Sequence, residues 1–163
     1  QLEETVALLL DNGCHAVLGN HDLWWLGRCD DEKGRSDEIY LRALPDVFEL
    51  SSENKKIYMV HASPPNSLME GIKLLDENAE LLEDQKTCWS DHLKSFPLDV
   101  LVVGHTHQVF AEQLGHVLVI NPGSTLFNHT CMILTLPEMA VQIFPLSGKQ
   151  PVMTWNWGQF YAT

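Results

Sequence analysis

The sequence predicts an α/β domain whose strands deliver polar side chains to one shared site. Three stretches carry that expectation. Val17-Leu18 closes an apolar run and enters Gly19-Asn20-His21-Asp22, Ile57-Tyr58-Met59-Val60 enters His61, and Val100-Leu101-Val102-Val103 enters Gly104-His105-Thr106-His107. Apolar strands that each finish in His or Asn place those side chains at the carboxyl edge of a sheet, where open α/β sheets bind their ligands.

The chain has 163 residues, 45% of them hydrophobic, which suits one domain over 1–163 with its own core. Residues Leu2 to Leu10 have the pattern of an amphipathic helix, with Gly13 as its C-terminal stop. Cys14 to Leu18 is a near-continuous apolar run, typical of a buried parallel strand. A helix feeding such a strand implies a βα unit ahead of Gln1, so the chain reads as the C-terminal portion of an N-terminally truncated domain. After Asp22 the segment Leu23-Trp24-Trp25-Leu26-Gly27 leads into a charged connection, then a short helix from Asp37 to Leu44 stopped by Pro45. Trp24 and Trp25 are read first as packing, with stacking on a substrate ring as the other role.

Val47 to Leu50 and Lys56 to Val60 suit two strands joined by a turn at Ser51 to Lys55. The second strand delivers His61, and Ala62-Ser63-Pro64-Pro65-Asn66 then blocks any regular continuation. Ser63 and Asn66 are candidate substrate contacts. Residues 68–95 are the least regular third, with helix-compatible windows at Leu74 to Asp84 and Lys86 to Phe96. Beyond Gly104-His105-Thr106-His107 the pattern is mostly β, with strands at His116 to Ile120, Cys131 to Leu136 and Met139 to Phe144. Turns fall at Asn121-Pro122-Gly123-Ser124 and Pro137-Glu138. The aromatic tail, Trp155 to Tyr161, is expected to cover an apolar face.

Ten basic residues face 22 acidic ones, a net charge of −12. Nucleic-acid binding relies on Lys and Arg neutralising phosphates, so a nucleic-acid partner is disfavoured while a small phosphate ester is not. The acidic runs from Asp30 to Glu38 and Glu70 to Asp91 read as solvated surface. Cys14, Cys29, Cys88 and Cys131 are widely spaced and suit reduced thiols in a cytoplasmic protein. No run approaches the roughly 18 apolar residues of a membrane span, and homo-oligomerisation is left open. Asn128-His129-Thr130 matches the glycosylation sequon, but no secretory signal accompanies it.

Imidazole nitrogen with amide oxygen is a donor set for Mn, Zn, Fe or Ni. If residues 104–107 are extended, His105 and His107 point to the same side and reach neighbouring metals. His15, His92, His116 and His129 stand apart from these motifs and are read as structural.

Gly19-Asn20-His21-Asp22, His61 and Gly104-His105-Thr106-His107, in this order, resemble the last three motifs of the calcineurin-like metallophosphoesterases: G-N-H-D/E, a lone H, and G-H-x-H. Asn121-Pro122-Gly123-Ser124 and the closing strands look like the small bacterial-type members. The resemblance implies a four-layer α/β/β/α sandwich with two divalent metals, Asn20, His61 and His105 on one and His107 on the other. It implies His21 as the catalytic histidine at the leaving oxygen. The implied reaction hydrolyses phosphomono- or phosphodiesters through direct attack of a metal-held hydroxide, the cations lying about 3.5–4 Å apart. The family's D-x-H and G-D-x-x-D motifs, which supply the other ligands and the bridging carboxylate, are absent, so weak or no activity is expected of this chain alone. A non-catalytic scaffold, such as the retromer subunit that resembles these enzymes, is the alternative.

Overall fold

The computed structural model describes residues 1–28 and 34–155. Expectations for Cys29, for the acidic run over 30–33 and for the aromatic tail beyond Trp155 lie outside the described residues. Helices α1 (Leu2–Asp11), α2 (Asn20–Leu26) and α3 (Ser36–Ala43) come first, and strands β1 (Val47–Ser52) and β2 (Lys55–Val60) follow. Helix α4 (Glu83–Leu93), β3 (Val100–Val102), β4 (Val109–Leu114), β5 (Val117–Pro122), β6 (Thr130–Thr135) and β7 (Ala140–Pro145) complete the order. No helix among the described residues is long and apolar enough to cross a membrane.

Five strands form a mixed sheet in the order β1-β2-β3-β5-β4. Strands β2, β3 and β5 are parallel neighbours, while β1 and β4 close the edges as antiparallel partners. Alternation sends successive side chains of the central strands to opposite faces. Leu101, Val103, Val117 and Val119 join a core with Leu93, Trp89 and Phe96, all from α4 or the chain just after it. Val100, Leu118 and Ile120 meet Met132, Leu134 and Val141 from the β6–β7 hairpin on the other face. Burial on both faces explains why these strands are apolar throughout, each large buried side chain contributing about 1.5–3 kcal/mol. Asp99 ties the start of β3 to that of β2, its carboxylate accepting from the Lys56 backbone N–H at 2.9 Å and facing Lys55 Nζ at 3.4 Å.

Several expectations change. Cys14 to Leu18 is not a strand: Leu18 donates to Pro45 O and the His15 ring stacks on Phe48 of β1, but the segment forms no ladder with a described strand, and Cys14 and His15 are exposed. The window over 74–84 is not a helix, because the Asp76 carboxylate captures the backbone N–H groups of Asn78 and Glu80 in a local turn. The second window does form α4. Strand β4 adds a hairpin partner to β5 that the strand pattern did not single out. Of the four expected layers, the described residues build α4, the five-stranded sheet and the two-stranded hairpin; α1 to α3 pack mainly on one another instead of covering the hairpin.

Candidate active site

Parallel pairing of β2 with β3 brings two of the three sequence motifs to the same sheet edge, with Met59 opposite Val102. Gly104 N–H then donates to His61 O at 2.8 Å, fastening the two strand exits together. The third motif arrives as α2. Its first turn is closed by Asp22, whose carboxylate accepts from the Gly19 N–H at 2.8 Å, so Asp22 supports the backbone and Asn20 faces inward, 5% exposed.

Three atoms from these elements converge. His61 Nε2 lies 2.7 Å from Asn20 Oδ1, His105 Nδ1 lies 3.3 Å from the same oxygen, and the two ring nitrogens are 3.2 Å apart. Donors about 2.1 Å from a common centre and at right angles lie about 3.0 Å from one another, so this triangle has the dimensions of one face of a coordination shell. Burial, first, and then the neighbouring His105, His21 and His107 push the His61 pKa down to about 4. His105 is lowered by burial against the opposing effect of the hydrogen bond its ring donates to the Met69 backbone, and His107 by burial and then His105. Uncharged imidazoles at neutral pH have lone pairs to offer a cation.

The triangle is short of charge. Among the described residues no group of three His, Cys, Asp or Glu side chains gathers at one point, and the triangle consists of two rings and an amide. Its donors fit one cation. His107 stands outside the triangle, its ring stacked on Phe127 at 5.0 Å.

The loop that presents these rings departs from the extended form. His105 and His107 have φ of 63° and 51°, in the left-handed region that costs a non-glycine residue on the order of 1 kcal/mol or more. Alternation along a strand is therefore not what turns both rings to the same cleft. Side-chain hydrogen bonds hold the turn: Asn121 Nδ2 donates to Gly104 O and Thr106 Oγ1, Thr106 Oγ1 donates to Ile72 O, and Asn128 Nδ2 donates to His107 O. Asn121 and Asn128 are fully buried, and both escaped the sequence reading as site residues. Asn121 was discoverable, since it closes the apolar run of β5 as His61 follows that of β2. Asn128 sits in the sequon, but its amide also donates to Val152 O and accepts from Ser124 N–H, so no valence remains for a glycan.

Two glycines are needed for close approach. A Cβ on Gly19 would lie 3.0 Å from His61 Cε1, and one on Gly71 would lie 2.5 Å from Thr106 Cγ2 and 3.0 Å from His105 Cδ2. The whole arrangement opens into a cleft of about 1020 Å³ whose lining includes His21, Trp24, Lys73, Glu77, Leu126 and Trp155. His21 is exposed on α2, its ring 4.7 Å from that of Trp24. Ser124 lines the cleft and accepts from Leu126 and Phe127 N–H groups, as a turn residue should. Ser63 and Asn66 do not line it, and the buried Ser63 hydroxyl is spent on Glu70 O.

A family model described as the calcineurin-like phosphoesterase superfamily domain matches residues 1–138. A hypothetical protein from Pyrococcus horikoshii superposes with a TM-score of 0.66 at 14% identity, over 98% of this chain and 70% of that one. A metallophosphoesterase from Sphaerobacter thermophilus superposes with a TM-score of 0.63 at 19% identity, over 90% of this chain and 72% of that one. At these identities the likeness is one of fold. Comparison with curated proteins gives no match.

Proposed function

Since the chain belongs to the calcineurin-like phosphoesterase superfamily, we propose that its cleft is a metal-dependent site for hydrolysing small phosphate esters. The observation that carries this reading is the triangle of Asn20 Oδ1, His61 Nε2 and His105 Nδ1, built from three distant parts of the chain beside His21. Asn20, His61 and His105 would hold one divalent cation of the Mn, Zn, Fe or Ni class, which supplies Lewis acidity toward a phosphoryl oxygen and toward water.

The rest of the work falls to the chain. His21, on the solvent side of α2, hands a proton to the leaving oxygen as the ester P–O bond breaks and the oxygen of water bonds to phosphorus, and the proton that water gives up passes to solvent, from which His21 is reprotonated. The products are a phosphate with one ester link fewer and the free alcohol. Lys73, exposed on the cleft, brings a positive charge to the phosphate. With a net charge of −12, small esters are favoured over nucleic acid. The family's paired cations would need more than His107 contributes, so this chain by itself is proposed to bind metal weakly and to turn over slowly.

The test is hydrolysis of bis(p-nitrophenyl) phosphate with and without Mn²⁺. A slow, metal-dependent rate that falls to background in His105→Ala and drops at least on the order of 100-fold in His21→Ala is expected, the scale of a lost general acid. Unchanged rates in both variants would remove the assignment. Partner binding that persists through chelation, with no hydrolysis, would favour a scaffold.

A further inference from the structure

The two tryptophans that follow His21 on α2 are treated differently by the fold. Trp25 is half-buried, whereas Trp24 is 51% exposed and lines the cleft. An indole is a large apolar surface, and about half of it is left uncovered beside a polar site, so among the described residues packing uses only part of it. Trp24 is one turn from His21, and the two rings lie 4.7 Å apart at 33°. The indole is thus held against the side chain proposed to protonate the leaving oxygen, where the departing part of a substrate must lie.

The remainder of the lining narrows the chemistry. Leu126, 68% exposed, and Met69, 59% exposed, also face this cleft, so its apolar surface extends beyond the indole. Asp76 and Glu77 line it against Lys73. A leaving group carrying further phosphates would meet those carboxylates as well as the net negative charge of the chain. A flat, uncharged ring meets neither penalty and offers a face to the indole, which an alkyl group does not.

Resting on the phosphate-ester reading of the site, we propose that Trp24 is its specificity-determining residue and that the substrates are phosphate esters of planar, uncharged aromatic alcohols. Trp24 binds the ring while the phosphoryl group lies toward Asn20, His61 and His105.

Calorimetric titration of the Mn²⁺-loaded chain with phenylphosphonate and with methylphosphonate tests this without turnover. Phenylphosphonate is expected to bind on the order of tenfold more tightly, within the range of ring stacking on an aromatic side chain. Trp24→Ala is expected to erase that difference and Trp24→Phe to keep most of it, with methylphosphonate affinity the same in all three proteins. Equal affinity for the two ligands in the unsubstituted chain, or a preference that survives Trp24→Ala, overturns the assignment of Trp24 and leaves the phosphate-ester reading standing. Failure of both phosphonates to bind overturns the two together.

Discussion

At the scale of single residues, the proposed site depends on a few side chains that would bind and several that only make room. Asn20, His61 and His105 were legible because each ends or follows an apolar run, and the chemistry of amide and imidazole is written in their types. Gly71 was not legible: nothing in the irregular third of the sequence says that the chain there passes within van der Waals contact of His105. Its methyl-free backbone has a measurable consequence. Gly71→Ala would place a Cβ 2.5 Å from Thr106 Cγ2 and 3.0 Å from His105 Cδ2, so the 105–106 turn must shift. We expect Mn²⁺ affinity, read by calorimetry, to fall at least on the order of tenfold, with a loss of thermal stability in the usual overpacking range of about 1–3 kcal/mol. Asn20→Asp changes the oxygen without changing its place. A carboxylate in a triangle of neutral donors should tighten Mn²⁺ binding, while Asn20→Ala should weaken it; the reverse order in the same titration would show that Asn20 does not face the cation.

At the scale of elements, regular strands were read well and short or locally captured segments were not. Residues 57–60 and 100–103 announce themselves as strands because both of their faces are covered. Residues 14–18 look the same in sequence and fail to pair, because a strand exists only where a neighbour returns its hydrogen bonds. The helix α2 hid behind Gly19 and Gly27, and the seven residues between them depend for their start on the Asp22 carboxylate at the Gly19 N–H. Asp99 offers an element-level test with a defined pH dependence. The Lys56 N–H, and then the Lys55 charge, hold its carboxyl below the usual range against the opposing effect of burial. A depressed folded pKa means that the unfolded chain binds the proton more readily, so this contribution is present above the unfolded pKa near 3.9. It is lost as pH falls through the lower folded value. Asp99→Asn should therefore destabilise the fold at pH 7, by about 1 kcal/mol for one charge-assisted bond weakened. Thermal melts should show that deficit shrinking as the pH is taken below the usual carboxylate range, and a deficit constant across pH would assign the effect to packing.

For the molecule as a whole, the family pattern spoke for an α/β fold with a mixed sheet, and the described residues build three of the four layers it implies. The hairpin β6–β7 packs its Met132, Leu134 and Val141 onto the larger sheet and leaves Ile133 and Phe144, on its other face, 52% and 38% exposed, so no layer of the described residues covers it. Stability then rests mainly on the five-stranded sheet and α4, and the site at the sheet's carboxyl edge is joined to that core through Gly104 N–H and the buried Asn121. A ligand that binds only the folded arrangement must stabilise all of it. At a free Mn²⁺ concentration about 100 times its Kd, one site adds ~2.7 kcal/mol, which for a domain of this size raises Tm by roughly 5–10 °C. The number of cations matters as much as the shift. Three donors at one point predict a stoichiometry of one per chain, lost in His105→Ala and kept in His107→Ala. Two equivalents bound, with both variants each losing one, would mean that His107 completes a second centre with donors beyond the triangle.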